Sequence, residues 1–256
     1  FIFKIPDSNK MEIVFFDVGE SDCTLVTTAD SKHILIDAGT KSSRNTIVPY
    51  LNRYGINKID YLIITHPHAD HIGGLEYIVN NINIDTLICS AKTGMNRNIS
   101  IYNIPMRSVS AGDEIYVGKD VNLYFLNPPL SKEEYLDDNS DCLVFKLKYK
   151  YFDALFTGDL NQSAEENIVQ NASGFLKSDV LKVPHHGSRT SSTPEFLSAT
   201  LPYIAIISCG ANNIYHHPSP NTLKRYEVLN SNILRTDISG AIIIKTDGYE
   251  IENIMF

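Results

Sequence analysis

The chain has 256 residues, 43% of them apolar, and a formal net charge of −8. That is enough apolar material for one large or two small domains with a real core, which excludes disorder as the organising state. The acidic balance argues against a protein that coats polyanions broadly, although metal ions can bring positive charge to a nucleic-acid site.

In chain order, residues 11–18 (MEIVFFDV), 23–28 (CTLVTT) and 33–37 (HILID) are short β-branched and aromatic runs parted by turn formers, as in a meander of buried strands. In SSRNTIVPYLNRYG, Ile47, Tyr50, Leu51 and Tyr54 recur at helical spacing, with serines ahead to cap and Gly55 behind to stop. IDYLIIT is a strand that runs into a histidine cluster, and GGLEYIVNN opens a helix directly after it. The second half alternates in the same way: strands near 121–126, 142–149 and 153–157, a helix near 162–170, a strand at DVLKVP and a helix starting near Thr193. YIAIISCG, a helix opening SPNTLKRY with Pro220 in its first turn, and strands near 233–236 and 241–246 complete the chain. No low-complexity linker, charge run or fixed-period repeat divides it, so residues 1–256 are expected to form a single mixed α/β domain, sheets inside and helices outside.

No apolar run approaches the roughly 18 residues of a membrane helix. The opening FIFKIP lacks an initiator methionine, which leaves room for a removed signal, anchor or membrane domain and leaves the compartment open. Cys23, Cys89, Cys142 and Cys209 stand singly, without CxxC spacing, and are expected to be buried, inert thiols.

The histidines are distributed unlike ordinary residues. Of eight, only His33 stands alone; His66, His68 and His71, His185 and His186, and His216 and His217 form three clusters. A lone histidine is read as a satisfied core or surface residue, but a metal needs several groups at one point, and clustering points to that. In THPHADHIGG, His66 and His68 alternate along an extended segment and can reach one ion, while Asp70 and His71, where the chain turns into a helix, can reach a second. Gly73 and Gly74 let the backbone bend there. ALFTGD delivers Asp159 at a strand end; alone it reads as a turn or cap residue, but beside the histidines it is the natural bridge between two metals about 3.5–4 Å apart.

HxHxDH after a strand, then TGD, then HHGS, resembles the metallo-β-lactamase superfamily, which implies a four-layer αββα sandwich with a dinuclear metal site. More narrowly, FFDVGESDCTLV, LIDAG, ITHPHADHIGG, NSDCLVFKL, FTGD, LKVPHHGS and the HP at His217 are similar to the hydrolase domain of ComEC-type competence proteins and their stand-alone relatives. The resemblance runs from about residue 11 to about residue 246. It implies that His66 and His68 hold one ion, that Asp70, His71 and His185 hold the other, and that Asp159 bridges them. It places His217 near the substrate as a proton donor or phosphate contact, makes His186 supporting, and leaves His216, where relatives carry glycine, incidental. The loop of Asp17, Gly19 and Asp22, with Ser21 in place of a glycine, would support the site from behind. Many members carry a further histidine before the bridging aspartate, yet none occurs from residue 72 to 184, and Asn139 is the best-placed substitute. An asparagine or water there makes the first site harder, favouring manganese or magnesium, with zinc suited to the second.

Two ions so held lower the pKa of a bound water and stabilise charge on the attacked group. The expected function is a dinuclear phosphodiesterase or nuclease, acting, as the competence-type resemblance implies, on DNA, single-stranded by preference, or else on a small phosphodiester. Ser188 and Arg189, with Thr190, Ser191 and Ser192, offer donors suited to phosphate, although the same stretch reads equally as a polar loop capping the helix at Pro194. Tyr102, Tyr203 and Tyr215 could stack bases but are expected in the core. The rivals are hydrolysis of a phosphocholine-type ester, lactone or lactam, and a metal-bearing binding module of low turnover. A ComEC-type domain or secreted relative would work outside the cytoplasm; otherwise the protein would be cytoplasmic.

Overall fold

A computed structural model describes residues 10–130 and 138–255; the opening FIFKIP lies outside them. Among the described residues fifteen strands form two sheets. The first holds β1 (Met11–Phe15), β2 (Thr24–Thr27), β3 (His33–Ile36), β4 (Lys58–Ile63), β5 (Asn83–Cys89) and β6 (Met106–Ser108). The second holds β7 (Glu114–Gly118), β8 (Val121–Asn127), β9 (Val144–Tyr149), β10 (Phe152–Phe156), β11 (Val180–Lys182), β12 (Ile204–Ile207) and β13 (Asn232–Arg235). The chain then returns to the first sheet with β14 (Ile242–Thr246) and β15 (Ile251–Met255), giving the order β15-β14-β1-β2-β3-β4-β5-β6 against β13-β12-β11-β10-β9-β8-β7.

Each sheet is half antiparallel and half parallel. Hairpins join β1 to β2 and β2 to β3, whereas β3, β4, β5 and β6 run parallel, as do β10, β11, β12 and β13. Parallel neighbours need a crossover, and the helices Arg44–Arg53, Leu75–Asn81, Gln162–Ala172, Pro194–Thr200 and Pro220–Val228 supply it. The carboxyl ends of the parallel strands therefore lie side by side, the position where open α/β sheets place ligands.

The sheets meet face to face. Phe15 of β1 stacks on Phe156 of β10 with ring centroids 6.1 Å apart, and Phe156 on Phe145 of β9 at 5.1 Å. All three are buried, and truncating any one to alanine should cost about 3–5 kcal/mol. A second apolar cluster, with Ala164 and Ile168 of one helix, Phe196 and Leu197 of another and Tyr226 of a third, covers the outer face of the second sheet. The helices Arg44–Arg53 and Leu75–Asn81 bury Ile47, Val48, Leu51, Leu75 and Ile78 on the first. The result is the four-layer αββα sandwich expected from the sequence.

The four cysteines are free and buried, as expected. Burial holds the Cys23 and Cys142 thiols well above their ordinary range, which makes them inert. No helix among the described residues is long and apolar enough to cross a membrane. Of the three tyrosines expected in the core, only Tyr102 packs against it; Tyr203 and Tyr215 are 65% and 64% exposed, because each stands in a segment beyond its strand end where the sheet no longer covers it.

Candidate metal centre

The residues between β4 and the helix Leu75–Asn81 make a tight bend, with one helical turn, Ala69–Ile72, inside it. A Cβ at Gly73 or Gly74 would collide with the carbonyl oxygens of Ala69 or Ala38, so this close passage of backbones requires glycine. The bend places His66 and His71 in the interior, leaves Asp70 partly accessible and leaves His68 exposed. Across the sandwich, β10 ends just short of Asp159, and β11 leads into a short 3-10 turn, Pro184–Gly187, carrying His185 and His186.

Asp159 is the common point. Its Oδ2 lies 3.8 Å from His66 Nε2 and 3.7 Å from His185 Nε2, and its Oδ1 lies 3.3 Å from His71 Nε2 and 3.8 Å from His186 Nε2. Two groups of ligand atoms result, each within 4.8 Å: His66, His68 and Asp159, and Asp70, His71, Asp159 and His186. His71 Nε2 and Asp159 Oδ1 are buried without a hydrogen-bond partner, an arrangement costly for polar atoms unless something shared satisfies them. A buried imidazole nitrogen and a buried carboxylate oxygen left without a hydrogen bond, amid three further imidazoles and a second carboxylate, fit a divalent cation.

The imidazoles are also aimed. His71 Nδ1 donates to Asp37 Oδ2 at 2.8 Å, which leaves Nε2 facing Asp159. Asp37 is itself fixed by the Thr65 backbone N–H and hydroxyl, each at 2.8 Å. His186 Nδ1 donates to the Ser208 carbonyl at 2.9 Å, turning its Nε2 towards Asp70 Oδ2 at 3.4 Å. Asp22 stands behind it, with Oδ1 3.6 Å from His186 Nδ1 and Oδ2 paired to the buried Lys182 Nζ at 2.7 Å.

The electrostatics agree with this geometry. Burial would lower the His71 imidazole, but Asp159 and Asp37 outweigh it and hold its pKa well above the usual range. His186 is raised to about 9, burial again being overcome, chiefly by Asp159 and Asp22. Burial would raise Asp159 and Asp70, yet the facing imidazoles hold Asp159 well below the ordinary carboxylate range and, with the His186 hydrogen bond, bring Asp70 to about 2. For His66 burial prevails, and its pKa falls well below the imidazole norm. The surplus of negative potential that favours a proton on His71 also favours a cation in its place.

His217 borders the cluster. Its ring centroid lies 5.7 Å from that of His185 and 6.2 Å from that of His186. Nδ1 donates to Glu20 Oε1 at 2.7 Å, while Glu20 Oε2 accepts from the Gly210 N–H at 2.8 Å. His216 is exposed and turned away by a left-handed backbone, φ +58°.

The other expected residues fall in different places. Asp17 is exposed, its carboxylate accepting from the Gly19 N–H at 3.4 Å; the acids of that stretch that approach the histidines are Asp22, at His186, and Glu20, at His217. Asn139 Oδ1 is buried without a hydrogen bond, and it is the neighbouring Asp138 whose carboxylate lies 3.6 Å from His68 Nε2. Ser188 is buried, its hydroxyl 3.0 Å from that of Thr190, whereas Arg189 is exposed. Ser191 and Ser192 face inward, and Thr193 caps the following helix by accepting from the Phe196 N–H, so the capping reading holds for this end of the loop. Sequence reasoning gave no role to Glu20, Asp37, Asp138 or Lys182. A usable signal existed for Asp37, since HILID ends in a carboxylate one position past a strand, much as ALFTGD places Asp159 three positions past one.

Residues 16–211 match the family model Lactamase_B, the metallo-beta-lactamase superfamily. The chain belongs to this superfamily. It is 33% identical over 251 residues to competence protein ComA of Neisseria gonorrhoeae, covering 93% of this chain and 32% of that protein. It is 29% identical over 263 residues to ComE operon protein 3 of Bacillus subtilis, covering 92% of this chain and 33% of that one. The chain thus spans about a third of the length of these curated relatives. Among solved structures, the metallo-beta-lactamase fold protein YhfI from Bacillus subtilis matches with a TM-score of 0.60 at 10% identity, covering 93% of this chain and 99% of that one. Igni18, a metallo hydrolase from Ignicoccus hospitalis, matches with a TM-score of 0.59 at 16% identity, covering 91% and 98%. At such identities these two matches speak to the fold. Members of the superfamily are metal-dependent hydrolases, and this chain carries a plausible His/Asp cluster for divalent metal.

Proposed function

We propose that the chain is a dinuclear metal-dependent phosphodiesterase acting on DNA, with residues 1–256 as one catalytic unit. The observation that carries this reading is the convergence on Asp159 of two groups of ligand atoms, with a carboxylate-held histidine, His217, alongside. Competence-protein relatives support DNA as the substrate class.

In this reading His66, His68 and Asp159 hold one cation, with Asp138 or Asn139 completing its surroundings. Asp70, His71, Asp159 and His186 hold the second, and His185 abuts the bridge from the side nearer His217. A pair of divalent cations, manganese or zinc with magnesium as an alternative, supplies an acidified water and offsets charge on the attacked phosphate. Asp70, partly accessible and next to both groups, orients the water. His217 keeps Nε2 free, because Nδ1 is committed to Glu20, and gives a proton from it to the departing oxygen. Glu20 fixes that tautomer and stabilises the ring while it is charged. Arg189 and the Ser188 hydroxyl hold non-bridging phosphate oxygens.

The test is turnover of labelled single- and double-stranded DNA, bis-p-nitrophenyl phosphate, a phosphocholine ester and a lactone, with manganese, zinc, magnesium or chelator. Metal-stimulated cleavage of DNA, lost in Asp70→Ala and Asp159→Ala, supports the proposal. Turnover confined to the phosphocholine ester or lactone, or binding of DNA undiminished by chelator without cleavage, would sink it.

A further inference from the structure

Tyr215 belongs to a loop built to hold a side chain outward. Asn213 pins both ends: its amide donates to the carbonyls of Gly210 and His217 at 2.9 and 2.6 Å, and its Oδ1 accepts from the His217 N–H at 2.9 Å. The His216 N–H closes a further turn on the Asn213 carbonyl. Within this clamp Ile214 is 82% and Tyr215 64% exposed. A single exposed tyrosine needs no explanation, but this one has a specific neighbour. Its ring is stacked on His217, with centroids 5.8 Å apart and planes within 20°. His217 in turn stands against His185, whose Nε2 lies 3.7 Å from Asp159 Oδ2. The aromatic face is thus rigidly carried one residue outward from the group that serves the leaving oxygen.

We infer that Tyr215 is the stacking platform for a nucleobase of single-stranded DNA next to the phosphate under attack. This rests on the phosphodiesterase reading and gives it a substrate preference. Stacking on an aromatic face is tolerant of sequence, since every base has a π-face. It also discriminates by strandedness, because a base in duplex must first be unpaired and unstacked to reach the tyrosine. A clamped loop loses little conformational freedom when the base arrives, so the stacking energy is retained as affinity.

The experiment compares oligothymidylate with an abasic strand of the same length and charge, in the full chain with manganese supplied, reading Kd by anisotropy and cleavage rate in parallel. The wild type should favour oligothymidylate about ten-fold or more in Kd. Tyr215→Ala should bind both strands alike, while Tyr215→Phe, which keeps the ring, retains the preference. Tyr203→Ala, which removes an equally exposed tyrosine just before β12, at the end away from the cluster, should also retain it. A wild type indifferent to bases, or a Tyr215→Ala variant that still prefers oligothymidylate, overturns the inference. Cleavage of both strands at equal rates in wild type and Tyr215→Ala would remove the stack and leave the phosphodiesterase reading standing. A base preference that depends on Tyr215, with no diester cleaved under any metal, would remove that reading and leave the stack.

Discussion

The two sheets contribute histidines to one centre but hold them by different means. On the first sheet, His71 is set by a side chain, the Asp37 carboxylate locked by Thr65, and the backbone under the histidines is a strand, bend and helical turn, with the left-handed value confined to Asp37 itself at φ +59°. On the second, the backbone carries the constraint. His185 and His186 stand at φ +49° and +53° and His216 at +58°, left-handed values that cost non-glycine residues about 1–2 kcal/mol each. Such a loop needs an anchor. The buried Glu165 carboxylate accepts from the N–H groups of Ser192 and Thr193 at 2.5 and 2.7 Å, and Arg225 donates to the carbonyls of Ser191 and Ser192. Both halves thus depend on residues distant in sequence, 34 positions apart for Asp37 and His71 and 27 for Glu165 and Ser192, but one acts on a ring and the other on the backbone.

Four substitutions sharpen this contrast. The largest effect belongs to the residue both regions share: Asp159→Ala should abolish bridging and lower turnover by about a thousand-fold or more, the scale of one electrostatic contact at a reacting centre, with metal content by mass spectrometry falling alongside. Next comes the anchor of the strained loop. Burial raises Glu165 to about 7 from 4.5 in the open chain, so the folded state holds this proton more tightly. Its contribution to stability is complete below pH 4.5 and is lost as the pH rises through about 7. The size is on the order of 3 kcal/mol. Glu165→Gln should flatten the denaturant-midpoint profile over that window relative to wild type, and parallel profiles would show that Glu165 does not titrate there.

On the side-chain-held half, Asp37→Asn should weaken metal binding roughly 10–100-fold, as loss of an orienting carboxylate does elsewhere. Equilibrium dialysis reads this directly, and an unchanged affinity would mean that Thr65 and packing alone set the ring. The smallest effect is expected from Glu20→Gln, about ten-fold in kcat on DNA with little change in KM. The loss should be smaller on bis-p-nitrophenyl phosphate, whose leaving group departs without a proton. Equal losses on both substrates would assign Glu20 to loop architecture rather than to His217.

Most of the strands were legible as β-branched and aromatic runs parted by turn formers, and their alternation with helical spacing put sheets inside and helices outside, while the four layers followed from the family resemblance. The elements between residues 83 and 118 were not, since NID opens β5 with two polar residues in three, β6 is exposed throughout, and β7 alternates at an edge. Within the site, HPHADH and TGD could be read because spacing along one strand or turn decides which way side chains point. The resemblance set His185 beside Asp70 and His71 and made His186 supporting, whereas the ligand atoms that converge with those of Asp70 and His71 include His186; which ring turns inward is decided by two consecutive left-handed residues that no spacing rule reads. Glu20 meets His217 across 197 positions of sequence, a contact that only the pairing of the two sheets creates.

The most direct test of the central claim, two cations bridged by Asp159 driving diester cleavage, is a titration of metal-free protein with manganese, counting bound ions while following cleavage of a labelled single strand. The account predicts that turnover rises as the second equivalent binds and that Asp159→Ala shows neither the second ion nor the rise. Full cleavage in the chelated protein, or none with both sites filled, would contradict it.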